Sequence, residues 1–213
     1  MGLVFPWLFF KISGKLFLEV KMKIVFASTN RGKLREAAEI FEGFEIVPIS
    51  AFPAWNSPVE NGSTFLQNAV IKAEAAAKAA PDSIVLADDS GLVVPALDGA
   101  PGIFSARFSV EGTDAANRKK LLSELSEIGD RSAYFLCTAL LIFPDKTVIA
   151  AEGRCYGRII DTERGNNGFG YDPVFVPDGY EKTLAELSEE EKNAISHRGM
   201  AFRKLISRAT HFF

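Results

Sequence analysis

A chain of 213 residues, 47% of them hydrophobic and with a formal net charge of −3, is long enough for one large domain or for two lobes around one core. The acidic balance and the scattered basic residues argue against nonspecific nucleic-acid binding, which needs a concentrated basic surface. Cys137 and Cys155 lie in apolar or strand-like surroundings without metal-ligand spacing. They read as buried or half-buried reduced thiols rather than a disulfide.

The first ten residues are almost wholly apolar, and Lys11, Lys15, Glu19 and Lys21 then interrupt the run. It is too short to span a bilayer. It also lacks the basic leader and small-residue cleavage site of a secretory signal. Met22-Lys23-Ile24-Val25-Phe26 reads as a natural start, which makes residues 1–21 an extension outside a folded domain of residues 22–213. An amphipathic surface segment is the alternative.

Residues 23–27 form a continuous apolar run and predict a buried strand. Ser28-Thr29-Asn30 ends it, and Leu34, Ala37, Ala38 and Phe41 recur at helical spacing. Residues 46–62 hold three prolines and predict loop with at most a short strand. A second helix is expected from Ser63-Thr64, with Thr64 and Gln67 as a capping box and Phe65, Ala69, Ala73, Ala76 and Ala80 on one face. Residues 84–87 predict a short buried strand ending in the polar cluster Asp88-Asp89-Ser90-Gly91. A third helix is expected over 113–125, with Arg118-Lys119-Lys120 as a solvated face.

Strands follow at 133–143, 148–152 and 155–160, the first two joined by a hairpin turn at Pro144-Asp145-Lys146. A Gly/Asn-rich loop covers 161–172, and 173–176 reads as a strand. Ser188 with Glu191 forms another capping box. The last helix carries Phe202, Leu205, Ile206 and Ala209 toward the core. The order is mixed α/β, with a β-rich middle that suits a lobe of its own.

Four clusters carry chemistry. Ser28-Thr29-Asn30-Arg31-Gly32-Lys33 links a buried strand to a helix, where backbone N–H groups and the helix dipole favour anions. It reads either as a phosphate cradle with Lys33 as a point charge, or as a capped helix with a solvated lysine. Asp88 and Asp89 suit Mg2+, a hard cation that takes oxygen ligands, or else a simple Asp-Ser-Gly turn. Glu60 is a candidate partner carboxylate or an ordinary loop residue. In Gly168-Phe169-Gly170-Tyr171-Asp172-Pro173 the glycines on both sides of Phe169 favour a close-approach loop, with Phe169 and Tyr171 as ring-stacking candidates, over core packing. Ser196-His197-Arg198 sets an imidazole beside a guanidinium, or marks a helix junction. Ser90 lacks the nucleophile-elbow pattern.

Six segments in order resemble the inosine triphosphate pyrophosphatase family, the Ham1-like group that hydrolyses non-standard purine nucleotides. They are Ser28-Thr29-Asn30-x-x-Lys33, the stretch from Glu60 to Ala69, Ala87 to Leu92, Gly99 to Arg107, Gly168 to Pro173, and Lys192 with Ser196-His197-Arg198-Gly199. The resemblance covers residues 22 to about 208. It implies an α/β, two-lobed fold with a long central mixed sheet flanked by helices, the active site in the cleft between the lobes, and a cytoplasmic homodimer. It implies hydrolysis of inosine, deoxyinosine and xanthosine triphosphates to the monophosphate and pyrophosphate.

Carried onto this chain, the resemblance implies that residues Ser28, Thr29, Asn30, Arg31, Gly32 and Lys33 cradle phosphates. Glu60 and Asp89 would hold Mg2+ with Asp88 in support, and Asp89 would also orient or deprotonate the attacking water. Phe169 would stack on the purine, beside Gly170 and Tyr171. Asp172, Lys192, His197 and Arg198 would hydrogen-bond around the base, and Ser90 would touch substrate near the metal. A Maf-like pyrophosphatase for other modified nucleotides and a non-catalytic nucleotide sensor are the rival readings.

Overall fold

The computed structural model describes the backbone of residues 7–11 and 17–213 and the side chains of residues 21–213. The expectation for the apolar side chains of residues 1–10 lies outside the described residues. A two-stranded antiparallel hairpin, β1 (Trp7–Lys11) and β2 (Phe17–Lys21), precedes everything else.

The body is one six-stranded mixed sheet of order β4-β3-β5-β6-β7-β8. It contains β3 (Lys23–Phe26), β4 (Glu45–Pro48), β5 (Ile84–Val93), β6 (Ser132–Ile142), β7 (Val148–Ile159) and β8 (Phe175–Pro177). β3 runs parallel to β4 and β5, and the remaining pairs are antiparallel. Five helices flank it: α1 (Arg31–Ile40), α2 (Phe65–Ala79), α3 (Asp114–Glu124), α4 (Glu189–Ile195) and α5 (His197–Ala209).

Strand alternation sorts the core. Ile24, Phe26 and Leu86 face α1 and α5, where they meet Phe41, Phe202 and Leu205. Val25, Ala27, Val85 and Ala87 face the other way, onto the alanine stripe Ala69, Ala73 and Ala76 of α2. A third cluster fills the far half of the molecule, with Leu92, Phe135, Cys155 and Phe175 against Leu121 of α3 and Leu125 at its C-terminal cap. The β-rich middle is thus a lobe that shares its long strands with the rest.

Several expectations shift. β5 does not stop at Ala87. The antiparallel ladder with β6 runs from Val85↔Ile142 to Val93↔Tyr134, so Asp88, Asp89 and Ser90 sit inside a strand, not in a turn after one. A partner strand that supplies hydrogen bonds overrides the poor strand preference of Asp, Ser and Gly. The two pieces expected at 148–152 and 155–160 are one strand for the same reason. The capping box of α2 is displaced: Thr64 accepts from Gln67 N–H, but the Gln67 side chain accepts from Ser63 N–H. On α1, Ala38 is exposed and Glu36 is buried, the reverse of the apolar-face reading. The box at Ser188 and Glu191 is formed. Both cysteines are buried and free.

Candidate active site

A cavity of about 440 Å3 opens between the two halves of the sheet. Three junctions deliver its lining. The first is the end of β3, where the Asn30 side chain accepts the Lys33 N–H and starts α1. The second is the middle of β5. The third is Ser196, which both ends α4, by donating its N–H to Lys192 C=O at 2.8 Å, and caps α5, by accepting Gly199 N–H at 3.0 Å. That double role turns the chain so that Lys192, at the end of one helix, and His197 and Arg198, in the first turn of the next, share one space.

Consecutive residues of a strand point to opposite faces, so Asp88 and Asp89 part company. Asp88 is fully buried on the α1/α5 face. Lys33 Nζ lies 3.0 and 3.1 Å from its two oxygens, and Arg198 Nε 3.2 Å from one of them. Burial works against its charge, but Lys33 and Arg198 outweigh that and hold the carboxyl well below the usual carboxylate range. Asp89 faces α2. It accepts from Lys72 Nζ at 2.9 Å and from Asn68 Nδ2 at 3.3 Å, and Lys72 also lies 3.2 Å from Glu60. There burial wins over Lys72 and lifts the Asp89 carboxyl above its ordinary value.

At the other end, Arg198 bonds Glu36 through Nη1 and donates to Ser90 Oγ through Nη2 at 2.8 Å. Lys192 lies 2.8 Å from Glu36 and 2.6 Å from Asp172. Burial would raise the Glu36 carboxyl, but Arg198 and Lys192 bring it down to about 2. His197 stacks flat on Phe135, 4.7 Å between centroids, and its Nδ1 has no hydrogen-bond partner among the described residues. Burial and the adjacent Arg198 push its pKa well below the ordinary value, so the ring is neutral at physiological pH. Phe169 is half-buried. Lys192 Nζ lies 4.7 Å and the Arg198 guanidinium 5.6 Å from its ring centroid.

The profile of the Ham1 family matches residues 24–208. The chain belongs to the Ham1 family. It is 46% identical over 203 residues to a dITP/XTP pyrophosphatase of Bacillus cereus, covering 92% of this chain and 98% of that one. It is 48% identical over 191 residues to a dITP/XTP pyrophosphatase of Streptomyces avermitilis, covering 86% of this chain and 95% of the other. The solved Ham1 protein of Staphylococcus aureus superposes with a TM-score of 0.80 at 43% identity, over 90% of this chain and all of that one. The Ham1 fold therefore accounts for the two-lobed mixed sheet.

Within this Ham1 chain the cavity gathers Ser28, Thr29, Asn30 and Lys33, Glu60, Asp89 and Ser90, the segment 169–172, and Lys192, His197 and Arg198. Arg31 and Gly32 do not line it. Arg31 is exposed, and Gly32 lies behind the wall, where a Cβ would stand only 2.5 Å from Phe169 Cδ1. Tyr171 reaches the lining but is no stacking platform. It is 4% exposed and donates its hydroxyl to Ser105 C=O at 2.9 Å. Arg118 is no solvated residue: its Nη1 donates to Gly170 C=O at 2.8 Å.

The pattern of the sequence hid two members of the site. Glu36 looks like any surface carboxylate of α1 until Arg198 is brought to it. Lys72 did leave a trace, because Asn68 and Lys72 interrupt the apolar stripe of α2 at helical spacing.

Proposed function

We propose that this protein is a nucleotide pyrophosphatase that hydrolyses inosine, deoxyinosine and xanthosine triphosphates to the monophosphate and pyrophosphate. The observation that carries the reading is the polarity of the cavity. One side offers the half-buried ring of Phe169 beside Lys192, His197 and Arg198. The other offers Lys72 between Asp89 and Glu60, and Lys33 stands between the two, sharing the Asp88 carboxylate with Arg198. A flat base and a chain of phosphates fit that division, and the names of the Bacillus and Streptomyces relatives agree with it.

A metal ion fits the phosphate end. Among the described residues no group of three or more His, Cys, Asp or Glu converges. Glu60 and Asp89 do converge, and both already point at one ammonium. Mg2+ asks for no more, since it binds through one or two carboxylates, waters and substrate phosphates. Charge counting supports the same view. Lys33, Lys72, Lys192 and Arg198 are all paired within a network that also holds Glu36, Glu60, Asp88, Asp89 and Asp172. Cations already matched by carboxylates leave a triphosphate under-neutralised. Mg2+ held by Glu60 and Asp89 would supply that missing positive charge.

In the proposed reaction Asp89 orients a water toward the α-phosphorus and accepts its proton. Lys33 and Lys72 face the charge that develops on the departing pyrophosphate. Asp88 keeps Lys33 and Arg198 in place. At the base end, donors from Lys192, His197 and Arg198 suit a 6-oxo acceptor and oppose a 6-amino group. A buried donor left unpaired costs about 1–3 kcal/mol.

We infer further that the protein is a cytoplasmic homodimer, from the family resemblance and the free cysteines. Sedimentation equilibrium tests the dimer. The reaction is tested with a panel of nucleoside triphosphates in Mg2+, with orthophosphate and pyrophosphate detected separately. Inosine triphosphate should give monophosphate and pyrophosphate. Release of orthophosphate with the diphosphate would overturn attack at the α-phosphorus. Absence of any turnover would favour a sensor.

A further inference from the structure

One face of α3 holds both sides of Gly170. Asp114 Oδ2 accepts the Gly170 N–H at 2.8 Å, and Arg118 Nη1 donates to the Gly170 carbonyl at 2.8 Å. The two side chains are i and i+4 on the helix, so they stand one above the other. Arg118 Nε lies 2.9 Å from Glu163, which ties the guanidinium to the start of the same loop. The Phe169 N–H in turn is taken by Asp172 Oδ2 at 2.9 Å.

These bonds have a reason to exist. Gly168 and Gly170 both have positive φ, at 74° and 61°, on either side of Phe169. No atom lies within 4 Å of where a Gly170 Cβ would stand, so its backbone conformation, not space, calls for glycine there. An aromatic between two glycines has many backbone states to lose on ordering. A ring meant to receive a flat ligand is better held before the ligand arrives. Asp114 and Arg118 are the only α3 side chains bonded to this loop among the described residues.

We propose that Asp114 and Arg118 are positioning residues that fix the Gly170 peptide and so hold the Phe169 ring where the purine docks. The proposal rests on the nucleotide reading of the cavity. It predicts an effect confined to the base end. Asp114 itself lines the cavity beside the loop, whereas Arg118 does not, so Arg118→Met is the variant whose effect must run through the loop.

The test uses the full chain with Arg118→Met, Asp114→Ala and Asp114→Asn. Melting temperature, kcat and KM for inosine triphosphate are measured in Mg2+. Calorimetry gives Kd for inosine monophosphate and for pyrophosphate. Arg118→Met and Asp114→Ala should raise KM and the monophosphate Kd about tenfold, the scale of one lost charge-assisted hydrogen bond. Their kcat should stay within about threefold and the pyrophosphate Kd should not move. Asp114→Asn keeps an oxygen that can accept the Gly170 N–H and should restore binding. A general loss of structure would instead weaken both ligands together and lower the melting temperature. Unchanged KM and monophosphate Kd in both disruptive variants, or equal weakening of both ligands, would overturn the proposal. Failure of the nucleotide reading looks different, because the wild-type protein would then neither turn over inosine triphosphate nor bind the monophosphate.

Discussion

Asp88 and Asp89 differ in which side of β5 they leave from, and that decides what each can do. Asp88 is locked between Lys33 and Arg198, with no freedom to move a proton. Asp89 meets one lysine and one amide at the cavity wall, and burial keeps its carboxyl raised. Asp89→Asn preserves shape and a hydrogen bond from Asn68 while removing the charge. With inosine triphosphate as substrate, kcat should fall by roughly 10²–10⁴-fold, the usual worth of a general base. The melting temperature should stay close to wild type. A variant within threefold of wild type would assign water activation to another group.

Glu36 supplies a stability prediction with a defined sign. Its carboxyl sits at about 2 against an ordinary 4.5. Between those values the unfolded chain holds a proton that the folded chain does not, so folding stability rises with pH there. Its contribution is complete above about pH 4.5 and is lost as pH falls toward 2. The span corresponds to roughly 3 kcal/mol. Glu36→Gln should flatten the acid limb of the stability curve by up to about 1.4 kcal/mol per pH unit. Denaturant titrations at pH 3, 4 and 5 check it. Parallel curves for the two proteins would show that the ion pair with Arg198 and Lys192 is not formed in solution.

At the scale of elements, α5 sits close against β7 near the site. A Cβ on Gly153 would run into the carbonyl of His197 and the backbone of Ala201, and would stand 2.9 Å from Met200 Cβ. These atoms belong to the first turn of α5, which carries His197 and Arg198. Gly153→Ala must therefore lift that turn. Overpacking of this kind costs about 1–3 kcal/mol, or several degrees of melting temperature for a chain of this size. KM should rise with it. Gly129→Ala, where a Cβ would meet nothing within 4 Å, is the control and should leave both unchanged. Equal behaviour of the two variants would mean that α5 has slack on the sheet.

The same scale shows what could be read in advance. The strand–loop–helix at 23–41, the stripe on α2 and the Ser188 box are local patterns, and local patterns survive folding. The continuation of β5 through Asp88-Asp89-Ser90 was not legible, because β6 imposes it from 49 residues away. Glu36 was hidden for a like reason: its partner Arg198 is 162 residues distant. Arg118 reads as solvated because nothing near it in sequence names Gly170 as its acceptor. The motifs showed most of the residues that gather at the cavity, but they included Arg31 and Gly32, which do not line it, and left out Lys72. The ion pairs that orient them depend on long-range packing.

For the whole molecule, the remaining question is how the hairpin of β1 and β2 relates to the body. The Ham1 profile begins at residue 24, and the Staphylococcus structure is matched in full by 90% of this chain. The hairpin joins at the N-terminal end of β3, whereas the cavity opens beyond its C-terminal end at Ser28. Five strand steps separate Lys23 from Ser28, about 16 Å at the usual rise. The first strand of the body is already held without the hairpin, by parallel pairing to β4 and β5 and by Glu45 N–H on Met22 C=O at 2.9 Å. A chain that starts at Met22 should therefore keep its melting temperature within about a degree and its kcat/KM for inosine triphosphate within about twofold of the full chain. The sequence of residues 1–10 contains Phe5, Trp7, Phe9 and Phe10, and a segment of that aromatic density favours association wherever it meets water. Light scattering at matched concentrations should accordingly show less aggregation in the shorter protein. A fall of several degrees on truncation, which at this chain length corresponds to at least about 1 kcal/mol, would show instead that the extension is packed on the body and contributes to its stability.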